Sequence, residues 1–202
     1  MGGIDKMKSV KLFVAGSALA MSLALAPTVA ADPQFEVAPV TQGALPGDLI
    51  HNPMAIKWNP EGGNKSVSIV ESEGVPGSQA ISFRVRKKSN KPWDIRMRAP
   101  FDKSISAGEE IEVYFWARAA KPARRSETGK ISVAIGRDVE PYDTVLNAEI
   151  LPTEEWKMYR VAGVAERDFP TSESEMGFNF GFVKQTIELG PFYAISKGMP
   201  SE

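Results

Sequence analysis

The chain is predicted to be all-β, a two-sheet antiparallel β-sandwich of the jelly-roll kind. Three observations carry that expectation. Apolar residues recur at every second position in short runs, the period of a half-buried strand. Clusters of Gly, Pro, Asn and Asp separate those runs at hairpin spacing. Beyond the first 31 residues no stretch carries a convincing helical stripe.

In chain order, Lys6, Lys8 and Lys11 come before an apolar run from Leu12 to Ala26. Small residues follow, with Val29 and Ala31, or Thr28 and Ala30, placed for cleavage. A charged start, an apolar middle and a small-residue exit make a secretory signal peptide, and the run is shorter than the roughly 20 residues of a membrane span. Residues 1–30 are therefore set apart from the fold, and a secreted or periplasmic protein with no membrane span is expected. Residues 31–60 are Pro-rich and irregular, and are expected to wrap the edge of a sandwich domain covering 61–202.

Strands are expected next at 66–72 (SVSIVES) and 80–88 (AISFRVRKK), joined by the turn-rich GVPGS. After SNKP, residues 93–101 (WDIRMRAPF) place Ile95 and Met97 on one face and Arg96 and Arg98 on the other. Residues 111–120 (IEVYFWARAA) direct Ile111, Val113, Phe115 and Ala117 to the core. Their other face carries Glu112, Tyr114, Trp116 and Arg118, so it either lines a cleft or lies under more protein. Further strands are expected at 130–137, 156–165, 176–185 and 186–195; PTEEWKMYR is too short a helix candidate to displace the third from last. The expected core is Phe83, Ile95, Val113, Phe115, Val133, Phe180 and Phe182.

Composition narrows the chemistry. With no Cys there is no disulfide, no thiolate nucleophile and no thiolate metal site. The single His51, in LIHNPM, reads as a polar loop residue and rules out an imidazole cluster. A net charge of −1 does not point to nucleic acid. Seven basic residues between Arg84 and Arg98 against Asp94 alone read first as a solvated strand pair. Gly-rich phosphate loops and nucleophile elbows are absent from the sequence. Carboxylates such as Glu109, Glu112 and Glu188 could supply the acid pair of a glycosidase, so an enzyme acting on polysaccharide stays an alternative.

What stands out is an aromatic set: Trp58, Trp93, Tyr114, Trp116, Tyr142 and Trp156. Aromatic rings stack on the apolar C–H face of a sugar, while flanking Asn, Gln, Arg, Asp or Glu satisfy its hydroxyls. Trp93, entering a strand whose outward neighbours are polar, is the sharpest candidate. Trp156 reads as packing at the sandwich edge.

The order KWNPEGG, GSQAISFRVRKK, PWDIRMRAPF, SAGEEIEVYFWARA, EEWKMYRV, TIELGPFYAI resembles the carbohydrate-binding modules of families 4, 9 and 22, over residues 57–195. The resemblance implies a jelly roll that binds xylan or β-glucan without catalysis. It places Trp93 as the stacking aromatic and Tyr142 as a second wall of the same cleft. Should Arg96 and Arg98, from the basic run, share that groove, an acidic glycan such as a uronic-acid-decorated xylan becomes the expected ligand. Glu61 stands where the xylan-binding branch has an arginine. Asn179 or Gln185 would replace the acid that bonds sugar hydroxyls, and Trp116 falls on an outward strand position beside Tyr114. Gly190 and Pro191 replace the usual Asp pair, which argues against the structural calcium of these modules, and no cofactor is expected. The implied partner is a polysaccharide or oligosaccharide, with the protein acting alone or beside a separate glycoside hydrolase. An envelope protein-interaction module, with Tyr114 and Trp116 as a protein contact, is the remaining alternative.

Overall fold

A computed structural model describes residues 46–199. The signal-peptide reading of residues 1–30, and the part of the 31–60 reading before residue 46, lie outside the described residues. Eleven strands follow one another with only single 3-10 turns at Pro76–Ser78 and Pro92–Asp94 between them. They are β1 (Asp48–Leu49), β2 (Asn59–Glu61), β3 (Lys65–Glu71), β4 (Gln79–Val85), β5 (Arg96–Pro100) and β6 (Glu110–Lys121). After these come β7 (Ile131–Arg137), β8 (Thr144–Ile150), β9 (Lys157–Val164), β10 (Ser174–Asn179) and β11 (Gln185–Ser196).

Every pairing is antiparallel, and the strands form two sheets. One has the order β3-β4-β11-β6-β9, with β1 also paired to β11; the other has the order β2-β5-β10-β7-β8. The two-sheet sandwich expected from alternation is therefore the fold. Between the sheets lie Phe83, Ile95, Val113, Phe115, Val133 and Phe180, all but excluded from solvent. Phe83 and Phe180 stack at 3.9 Å between ring centroids, and Phe178 meets Phe115 edge-on at 5.0 Å. Such contacts between opposing inner faces are what hold a chain without disulfides together.

Phe182 corrects one expectation: it is only half-buried and takes no place in the core. The strand ends at Asn179, and a turn follows, pinned by Gly181 N–H donating to the Pro92 carbonyl at 3.0 Å. Alternation stops there, and Phe182 instead sits under the Lys130 ammonium, 5.1 Å from its ring centre. The inward position belongs to Phe178. Strand β8 was not anticipated, although Leu146, Ala148 and Ile150 face the core in alternation with Asn147 and Glu149.

The segment ahead of β3 contributes to both sheets. Trp58 wedges between Phe178 and Phe192, at 6.0 and 5.4 Å. His51 is also interior rather than a polar loop residue: it is 5% exposed and lies 5.5 Å from the Phe192 ring. Its Nε2 accepts the Ala194 backbone N–H at 3.0 Å. Burial pulls the imidazole below its ordinary pKa, partly opposed by the Asn52 backbone and the Asp102 carboxylate.

Candidate functional site

The outward face of the five-stranded sheet is built by alternation. With Met97, Met176, Phe178, Val133 and Ile135 turned inward, their neighbours must point out. Register aligns these outward residues in rows across the sheet. One row reads Asn59, Arg98, Gly177, Ala134, Asn147; the next reads Glu61, Arg96, Asn179, Ser132, Glu149. Gly177 and Ala134 leave the middle of the first row almost bare. A side chain at Gly177 is also excluded by the backbone, since a Cβ there would lie 2.4 Å from the Met97 carbonyl oxygen. The result is a groove of about 700 Å³ over β5, β10, β7 and β8.

Two aromatics stand at this groove. Trp93 rides on the 3-10 turn Pro92–Asp94, which is closed by Asp94 accepting the Lys91 N–H at 3.0 Å. Ser89 Oγ donates to the Lys91 carbonyl at 2.6 Å, and Gly181 binds the Pro92 carbonyl, so the turn is braced from both sides. Its indole is nonetheless 53% exposed, with the Lys91 ammonium 5.7 Å from the ring centre. Tyr142, in the loop between β7 and β8, is 61% exposed. It is held at φ 60°, a conformation few side-chain-bearing residues adopt, in a turn where its N–H donates to Val139.

The arginines of the groove are each paired with a carboxylate. Arg98 donates to Glu61 Oε1 at 2.6 Å and to Glu175 Oε1 at 2.5 Å, with Asp138 at 3.8 Å. Arg96 donates to the other oxygen of Glu61 at 2.8 Å. One carboxylate on β2 thus bridges both arginines of β5. Burial pushes the Glu61 carboxyl up, but Arg98 and Arg96 together outweigh it and hold it below the ordinary value. For Glu175 burial prevails: its carboxyl is raised despite Arg98 and Arg96, with Asp138 adding repulsion. Asn179, which lines the groove, donates through Nδ2 to Ser132 Oγ at 2.9 Å.

Of the residues singled out in the sequence, Trp93, Arg96, Arg98, Tyr142 and Asn179 come together here. Tyr114 and Trp116 do not; they belong to β6, in the other sheet. Tyr114 is buried and its hydroxyl donates to Glu112, which also pairs with Arg160. Trp116, partly buried, packs against the cluster of Tyr114, Met158 and Ile195, and lies against Gly190, where a Cβ would lie 2.9 Å from the Trp116 Cβ. On that face Tyr114 is buried and Trp116 partly so. Gln185 is also apart from the groove: it is 3% exposed, accepts the Lys130 N–H and donates to the carbonyls of Lys130 and Phe180. Its amide ties β11 to the start of β7. Glu175, Asp138 and Asn147, which line the groove, were not singled out. The signal for Glu175 was available, since Glu175, Gly177 and Asn179 alternate with Met176 and Phe178.

The fold is a two-sheet jelly roll whose five-stranded sheet carries an aromatic-flanked polar groove on its outer face. The chain belongs to the family described as Carbohydrate binding domain, which matches residues 52–162. Among solved structures, a family 4 carbohydrate-binding module is 15% identical with a TM-score of 0.50, covering 69% of this chain and 86% of its own. The CBM22-1 xylan-binding domain from Paenibacillus barcinonensis Xyn10C is 16% identical with a TM-score of 0.50, covering 78% of this chain and all of its own (100%). An arabinose-bound α-L-arabinofuranosidase, MgGH51, is 13% identical with a TM-score of 0.55; the match covers 77% of this chain and 27% of the enzyme. At these identities the structural likeness speaks for the fold alone. No curated protein matches the chain in sequence. No helix among the described residues is long and apolar enough to cross a membrane.

Proposed function

We propose that this protein is exported and binds an uncharged polysaccharide of the xylan or β-glucan type, without catalysis, in the groove of the five-stranded sheet. The observation that carries the reading is a pair of half-exposed aromatics, Trp93 and Tyr142, beside a groove whose arginines already have carboxylate partners. Sugar rings would stack on the aromatics, and Asn147, Asn179, Asp138 and the Arg98–Glu175 pair would meet their hydroxyls. From Glu175 to Asn179 the groove runs roughly 13 Å along the strand, and roughly 14 Å across its four strands. That extent suits several linked sugars better than one. An acidic ligand is disfavoured because Arg96 and Arg98 would have to leave Glu61 and Glu175 to bind it.

Calorimetric titration of the purified protein with soluble xylan, soluble β-glucan and a polyuronate tests this. Binding of a neutral polymer, unchanged between low and high salt, is expected, because only interactions between exposed unpaired charges are strongly screened. Preference for the polyuronate with affinity falling as salt rises would contradict the neutral-ligand assignment. Release of reducing ends from any polymer would contradict the non-catalytic one. Intact mass of the protein recovered from the periplasm or medium checks export; a mass retaining residues 1–30 speaks against it.

A further inference from the structure

Strand β3 ends the six-stranded sheet, and among the described residues no strand lies on its outer side. Its ladder to β4 is unbroken from Lys65↔Val85 to Glu71↔Gln79. Two flanking bonds fix which residues point which way: Arg86 N–H donates to the Asn64 carbonyl at 2.7 Å, and Ser72 N–H to the Ser78 carbonyl at 3.0 Å. Hydrogen-bonded and non-bonded pairs alternate in an antiparallel ladder. Ser66, Ser68 and Val70 therefore bond to β4, while Lys65, Val67, Ile69 and Glu71 aim their N–H and C=O groups outward. Proteins usually blunt such an edge with a proline, a bulge or a mid-strand charge. The edge KSVSIVE has none of these, and its two charges sit at opposite ends. Val67 and Ile69 are 37% and 74% exposed on it.

We propose that this edge is a self-association surface, where two copies of the chain join β3 to β3 antiparallel about a two-fold axis at Ser68. In that register Lys65 faces Glu71 of the second copy, Val67 faces its Ile69, and the same holds in reverse. All four outward-aimed residues of each strand then fall in hydrogen-bonded pairs. Shifting the register by two residues puts Val67 opposite Glu71 or Ile69 opposite Lys65, and leaves a charge beyond the strand end. The edge is thus complementary to itself in one register, in charge, in side-chain type and in hydrogen bonding. Val67 and Ile69 pair with Phe83 and Ile81, so the four apolar side chains of a dimer would meet at the rim of the core side. The groove, on the other sheet, stays open in both copies.

Sedimentation velocity of the mature chain over a concentration series tests the proposal. A monomer–dimer equilibrium is expected. Lys65→Glu and Glu71→Lys should each weaken it about tenfold, since both symmetric pairs turn repulsive, and the double exchange should restore it. Ile69→Pro removes an outward N–H without costing a bond to β4, and should abolish the dimer while leaving the fold intact, as its melting curve would report. A chain that stays monomeric up to about 1 mM overturns the proposal. So does a dimer indifferent to these changes, or a double exchange no better than the single ones.

Discussion

Trp93 and Trp58 are two tryptophans of one sheet's surroundings with opposite jobs, and truncating each to Ala separates binding from stability. Trp93 keeps 53% of its surface exposed on a braced turn. An aromatic side chain can bury up to about 250 Å², so roughly 100 Å² is already covered. At about 25 cal/mol per Å² that is at most about 2.5 kcal/mol, and with the unfolded chain's own burial subtracted Trp93→Ala should cost about 1.5–2 kcal/mol. In a domain of this size that lowers the melting temperature by roughly 2–8 °C. The exposed half is the part a sugar would cover, and losing such a stacking contact costs about 2 kcal/mol, a roughly thirtyfold weaker Kd. Trp58, wedged between Phe178 and Phe192, should cost about 3–5 kcal/mol of stability on truncation. The assay is paired: calorimetric titration with the best neutral polymer at 20 °C below the lower melting point, and thermal unfolding of both variants. Retention of affinity within twofold by Trp93→Ala refutes the site, and a melting loss equal to that of Trp58→Ala refutes the claim that its indole faces outward.

Acid should weaken the fold through His51. Its folded pKa lies below the ordinary 6.5 because burial disfavours the cation, so the unfolded chain binds the extra proton first. The stability His51 provides is present above about 6.5 and lost as pH falls through it; denaturant midpoints at pH 7.5 and 5.5 should differ by more than those of His51→Gln. Gln185→Ala should lower the melting temperature by removing three hydrogen bonds of a buried amide, at about 1–3 kcal/mol, yet leave polysaccharide affinity unchanged. The same null effect on affinity is expected of Trp116→Ala, and a loss there would move the site to the other sheet. A chelator should leave the melting curve unaltered, because Gly190 and Pro191 bring no carboxylate to the bend of β11; a fall would reveal a structural cation.

Alternation made most of the fold legible. Arg96-Met97-Arg98 and Ile111-Glu112-Val113 state their inward and outward members without ambiguity, because a strand's side-chain period is two. Where alternation stops, so does the reading, as at Phe182 beyond the end of β10. Alternation also cannot tell which outward face is open. Tyr114 and Trp93 look alike as outward aromatics, and only pairing with β9 and β11 encloses the former. Gln185 has the chemistry of a sugar contact, but its amide is consumed by backbone groups brought near from residues 130 and 180. Glu175 was missed for the opposite reason: only the register with β5 sets it beside Arg98.

Glu61 occupies a three-residue edge strand yet holds two guanidiniums at once. A single carboxylate outside the groove thereby offsets the charge of both arginines that line it. Glu61→Gln would leave Arg96 without an ion pair and Arg98 with Glu175 and Asp138, adding positive charge without altering any residue that lines the cavity. The proposed preference for neutral over uronic polymers would then shift toward uronic ones by one substitution on a neighbouring edge strand.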